Sequence, residues 1–158
     1  MDDNDRWFTG DHKETTLEHI LLDVKQHTNN SGKIYVGSDS FVHKKNCVFC
    51  CVIVLHGAEN QSGGRYYYRK YNSKRADYPT MVQRLTEEVS KSIQIGMAIG
   101  EHIPNVKLEI HLDINSDRRQ TSSKLLESMT GWVKAIGFEC KVKPYAWASS
   151  TIADIHTK

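Results

Sequence analysis

One segment limits what this chain can fold into. Val106, Leu108, Ile110, Leu112 and Ile114 alternate with Lys107, Glu109, His111, Asp113 and Asn115, the period-two pattern of a strand with one face turned inward. Helical-period segments bracket it. Upstream, Pro79 fits a first helical turn, and Val82, Leu85, Val89, Ile93 and Gly96 form the inner stripe of a helix running to about Gly100. Downstream, Leu125, Met129 and Val133 stripe a helix from Thr121 to Ile136, with Gly137 as its stop. A strand held between two such helices belongs to an α/β sheet.

The rest of the chain extends that sheet. Lys33 to Asp39 reads as a strand and His43-Lys44-Lys45-Asn46 as a turn. Cys47 to His56 is a nearly continuous apolar strand, and Arg65 to Tyr71 follows the Gly57–Gly64 loop. These three strands form an antiparallel meander. Phe138, Cys140 and Val142 mark a last strand, ended by Pro144, and a short helix begins near Ser149. The order β-β-β-α-β-α-β-α predicts an α/β fold with a mixed five-stranded sheet and helices on both faces. Ahead of it, residues 1–12 lack periodicity. Leu17, Ile20, Leu21 and Val24 then define an amphipathic helix, with Thr15 and Glu18 at capping-box spacing and a break at Asn29-Asn30-Ser31-Gly32. The division is residues 1–32 as an acidic leader with an amphipathic helix, and residues 33–158 as the main domain.

Composition narrows the function classes. At 158 residues with 39% hydrophobic content, the chain suits one cored domain. No apolar run approaches the ~18–20 residues needed to cross a bilayer, and the acidic start is unlike a secretory leader. Cys47, Cys50 and Cys51 crowd one strand, with Cys140 apart. Alternation turns Cys47 and Cys50 to opposite faces, so core cysteines in a reduced, cytoplasmic setting are expected. Residues 1–32 carry a net charge of −4 and residues 33–158 one of +6, which points the body toward an anionic partner. The amphipathic leader helix offers a face for homo-oligomer formation.

Four carboxylates stand out by position. Asp39 ends the first strand between two serines, and Asp113 ends the fourth. If those strands are parallel neighbours, both acids emerge at the carboxyl edge where open α/β sheets place ligands. Glu88 lies a quarter-turn off the inner stripe of the long helix. Glu87 points nearly opposite that stripe, and the register between them stays open. Asp154 sits in the final helix. Converging carboxylates raise one another's pKa unless a cation relieves them. Two Mg²⁺ or Mn²⁺ ions would do so and would suit phosphodiester hydrolysis. His111, Asn115 and His156 are candidates for supporting those ligands.

Val36-Gly37-Ser38-Asp39-Ser40, the apolar strand 47–56 and His111-Leu112-Asp113-Ile114-Asn115, with Lys143-Pro144, Ala148-Ser149 and Ala153-Asp154, together resemble the YkuK-like branch of the ribonuclease H-like superfamily. The resemblance covers residues 33–158. It implies acids on the first strand, first helix, fourth strand and last helix, which fall here on Asp39, Glu88, Asp113 and Asp154. It also implies a metal-dependent nuclease acting on RNA, DNA or a hybrid. Arg65, Tyr67, Arg69, Lys70 and Tyr71, with Lys74 and Arg75 beyond them, form the basic-aromatic stretch suited to phosphates and unpaired bases. The same stretch also suits an edge strand guarded by charge. The competing expectation is a non-catalytic nucleic-acid or protein-binding module on the same fold.

Overall fold

The computed structural model describes residues 6–117 and 123–157. In chain order the elements are β1 (Trp7–Thr9), β2 (Glu14–Thr15), α1 (Leu17–Asn29), β3 (Lys33–His43), β4 (Asn46–His56) and β5 (Gly64–Lys74). A short 3₁₀ turn (Arg75–Asp77) leads to α2 (Met81–His102), β6 (Leu108–Asn115), α3 (Ser123–Ile136) and β7 (Glu139–Lys143). A π-helical turn (Ala148–Ala153) then runs into α4 (Asp154–Thr157). Thr121, the expected start of α3, lies outside the described residues.

All the strands join one sheet, in the order β2-β1-β5-β4-β3-β6-β7. β3, β4 and β5 form an antiparallel meander of eleven-residue strands, while β6 pairs parallel to β3 and β7 parallel to β6. The five-stranded expectation is therefore corrected to seven. β1 and β2, of three and two residues, are too short to register as a period. β1 pairs with β5 at Phe8↔Tyr68 and Thr9↔Tyr67, and Trp7 is buried in the core.

Helix starts differ from the sequence expectation by about one residue. Thr16, rather than Thr15, caps α1 by accepting the His19 N–H; Thr15 is engaged in β2. Thr80 and Gln83 form a reciprocal capping box at α2, so Pro79 stands just before the cap. No helix among the described residues is long and apolar enough to cross a membrane.

The core has two layers. On one face, Ile20, Leu21 and Val24 of α1 and Leu85, Val89, Ile93 and Ile99 of α2 cover Ile34, Val36, Ile53 and Ile110. On the other, Ala148 and Ala153 cover Tyr35, Cys50, Val52 and Tyr68, with Trp147 against them. Cys47, Cys50 and Cys51 are buried free thiols.

Two contacts seat the C-terminal segment on the sheet. His111, 1% exposed, accepts the Ala148 N–H at Nδ1 (3.1 Å). At Gly37 a Cβ would lie 2.7 Å from the Ser149 backbone nitrogen, so backbone packs directly on backbone where any side chain would intrude. Gly37→Ala should therefore cost about 1–3 kcal/mol, the usual penalty for overpacking, read as a lower urea midpoint at constant m-value. An unchanged midpoint would mean that the segment does not rest there.

Candidate metal centre

The site begins where two strands part. β3 and β6 pair from Ile34↔Leu108 to Gly37↔His111. Two residues past the last pair, each strand carries an aspartate, Asp39 on β3 and Asp113 on β6. The equal offsets bring the two acids to one level at the carboxyl end of the sheet, where diverging parallel strands open a crevice. Glu88 reaches in from α2 and is only 8% exposed. Ligand oxygens of Asp39, Glu88 and Asp113 all lie within 4.8 Å of one another. Glu87 turns away and pairs with Lys91 at 3.0 Å. Asp154, at the start of α4, joins from another direction through a side-chain hydrogen bond to Asp39.

Electrostatics explain why such a cluster is unusual in a cation-free protein. Burial, then the Asp113 charge, and then hydrogen bonds to Asp113 and Asp154 push the Asp39 carboxyl up; the Ser40 N–H partly offsets this. Glu88 is raised well above its ordinary value by burial and then by Asp39 and Asp113. The Ser40 hydroxyl and Arg84 act against that rise. Three hard oxygen donors on separate elements, with Asp39 and Glu88 disfavoured as anions by burial and by their neighbours, match the ligand chemistry of a divalent cation.

The cluster lines an open pocket of about 360 Å³ whose other walls include Arg84, Asn115 and Lys143. Lys143, at the end of β7, places Nζ 2.7 Å from Asp113 Oδ1, with its side chain 43% exposed. The hydrogen bond to Asp113 raises the lysine's pKa, against an opposing pull from burial. Among the described residues one ammonium thus faces three carboxylates, and it arrives on a long side chain with an open route to solvent. Sequence reasoning missed Lys143 and Arg84 as site residues. Arg84 carried a usable signal, one helical turn before Glu88. Lys143 did not, because an irregularity between His111 and Asn115 sets its pairing with Asn115.

A family model described as Ribonuclease H-like matches residues 15–158. The chain belongs to the ribonuclease H-like family. It is also similar to the uncharacterized protein YkuK of Bacillus subtilis (strain 168), at 21% identity over 164 residues, covering 92% of this chain and 90% of that relative.

On this ribonuclease H-like sheet, two of the three expected supporting residues, His111 and His156, lie elsewhere. His111 anchors Ala148 instead of touching Asp113. Burial and then Lys141 lower its pKa to about 4, so its ring is neutral near pH 7 and its 3.6 Å approach to Glu109 is no ion pair there. Asn115 does line the pocket, and its Oδ1 accepts the Asp117 N–H. His156 stacks on Tyr68 with ring centroids 3.8 Å apart and shares a hydrogen bond with the Tyr66 hydroxyl, outside the carboxylate cluster.

The basic-aromatic stretch is also reassigned. Tyr67 is 7% exposed and donates its hydroxyl proton to Asp23, which Arg65 approaches at 3.5 Å. Arg69 and Lys91 lie over the Tyr71 ring at 4.4 and 3.9 Å. Lys70 falls on the opposite face of β5 by strand alternation. These residues therefore do not form one continuous stacking strip.

Raised carboxyl pKa values set a sign for stability. Between the unfolded value near 4 and the raised folded values, the folded state holds more protons, so cation-free stability falls as pH rises through that window and then levels off. Asp39→Asn should remove part of this penalty. In EDTA at pH 8, its thermal midpoint should exceed the parent's by roughly 2–4 °C, about 1 kcal/mol at this length, with the gap closing toward pH 4. A variant less stable than the parent throughout this range would contradict the repulsion argument.

Proposed function

We propose that this protein is a metal-dependent nuclease hydrolysing phosphodiester bonds of nucleic acid. The carrying observation is the set of three carboxylates from β3, β6 and α2 within 4.8 Å of one another. Asp39, Glu88 and Asp113 would hold Mg²⁺ or Mn²⁺, with two ions favoured and Asp154 completing the ligand set. Bound there, such cations supply Lewis acidity to the scissile phosphate and activate water for attack.

The chain's own residues do the rest. Asp154 shares a proton with the Asp39 carboxyl while the site is cation-free and would turn to the cation once that proton leaves, and Ser40 ties Glu88 to β3. Lys143 and Arg84, on the pocket wall, provide cationic donors for phosphate oxygens. Because protons compete with cations for the same carboxylates, affinity for Mn²⁺ should rise with pH.

The Lys143–Asp113 contact favours a second reading. In it the ammonium is a permanent internal counterion, and the protein is a binding module without catalysis.

Cleavage assays on single- and double-stranded DNA, RNA and hybrid with Mn²⁺ or Mg²⁺ separate the two readings. Asp39→Asn and Asp113→Asn should each lower the rate by ~100-fold or more, above the loss typical of groups that merely support a metal ligand. Mn²⁺ should raise the parent's melting temperature, and raise that of Asp39→Asn much less. Equal cleavage by parent and variants would overturn the assignment. Absence of both cleavage and any Mn²⁺-dependent shift would leave the binding module.

A further inference from the structure

β3, β4 and β5 outrun the rest of the sheet. β3 leaves β6 after Gly37, yet it stays paired with β4 to His43↔Asn46, and β4 stays paired with β5 to Asn46↔Lys74. The three-stranded tongue thus projects past the carboxylate cluster, which sits at its base. Its tip is cationic. Lys44, Lys45, Lys74 and Arg75 surround one groove of about 620 Å³, completed by Asn46, Ala76 and Pro79 and without a carboxylate in its lining. All four cations are exposed. Among the described residues none of them makes an ion pair; the nearest acid in sequence, Asp77, lines an adjoining groove that shares Asn46 and Lys74 with this one.

These charges are held together rather than scattered. The Arg75 backbone N–H donates to the Lys45 carbonyl at 2.8 Å, and its guanidinium Nη1 donates to the Lys44 carbonyl at 3.3 Å. Four like charges fixed at one strand end repel one another, and a polyanion relieves that repulsion while releasing its own counterions. The groove also leads somewhere. Pro79 closes it, and the next residues along the chain, Met81 and Arg84, line the carboxylate pocket. Arg84 is tied back to this turn by its bond to the Tyr78 carbonyl at 3.0 Å. The segment from Pro79 to Arg84 thus links the basic tip to the carboxylate pocket, with Arg84 as the cation at its far end.

We propose that this basic tip is a docking platform for the phosphate backbone of a nucleic-acid strand whose reacting phosphate lies at the Asp39–Glu88–Asp113 pocket. Its role as a substrate path rests on the nuclease reading; its role as a phosphate-binding surface does not. Lys44 is five residues beyond Asp39, in the turn that follows β3, at most ~17 Å away. At 3.4 Å of axial rise per nucleotide, that spans about five nucleotides. A strand of at least that length should therefore engage the tip and the pocket together.

The test uses Asp39→Asn protein in EDTA, so that binding is read without cleavage. Fluorescein-labelled 20-mers of DNA and RNA, single- and double-stranded, are titrated at several salt concentrations. Lys44→Gln/Lys45→Gln/Lys74→Gln on that background should weaken 20-mer binding by roughly tenfold or more. The log–log salt slope on duplex should become shallower by about 2–3. Tetramers, which cannot span from the pocket to the tip, should lose less affinity than the 20-mers. All three lysines are exposed, and circular dichroism checks that the variant is folded.

Unchanged affinity and slope would overturn the proposal. So would a loss confined to anionic lipid vesicles, which would assign the tip to a membrane surface. If the lysine variant loses 20-mer binding but the parent with intact carboxylates cleaves nothing in any divalent ion, the platform stands as a binding surface and the nuclease reading falls.

Discussion

Two parallel strands stop hydrogen-bonding at the same level, and the character of the site follows from that parting. Below Gly37 and His111 the sheet is closed and apolar, covered by α2 on one face and by the C-terminal segment on the other. Above them the backbones diverge, and the first side chains to face the gap from the same register are carboxylates. The Gly37 backbone, with the chain at Ser149 seated on it, and His111, gripping Ala148, fix where the C-terminal segment lies. Through that segment they also fix where Asp154 meets Asp39. The acids converge because the packing beneath them leaves little freedom in strand register or helix position.

Such convergence opposes stability. Buried carboxylates that cannot all ionise cheaply are a local conflict of the sort proteins retain at working sites and offset elsewhere in the core. Among the described residues, the basic contacts that temper the conflict come from the long side chains of Lys143 and Arg84 at the pocket wall. Lys143 balances one charge of several and keeps an open route to solvent. This makes it a partner that a divalent cation could displace from Asp113, or that a phosphate could draw away. The basic tip of the β3–β5 tongue is the complementary feature, with positive charge gathered on the side of the pocket from which a polyanion would approach.

Much of this was legible in the sequence, for definite reasons. The strict alternation in 106–115 marks both the strand and the polar face that carries Asp113, while the 100° step of a helix favours Glu88 over Glu87 without deciding the register, which the Glu87–Lys91 pair settles. Other features depended on information that periodicity does not carry. β1 and β2 are shorter than any detectable period. Tyr67 looked like a stacking surface because nothing local reveals that α1 brings Asp23 to its hydroxyl. His111 shared a face with Asp113 by alternation, but its partner is the Ala148 amide, 37 residues away in sequence. Lys143 entered the site through a pairing irregularity that no pattern in residues 139–143 announces.

The most direct measurement is a crystal soaked in Mn²⁺ and examined by anomalous scattering. The account predicts a strong peak among the oxygens of Asp39, Glu88 and Asp113, with the Lys143 ammonium moved off Asp113. A crystal with no peak at those oxygens, and with Lys143 still on Asp113 at saturating Mn²⁺, would contradict it.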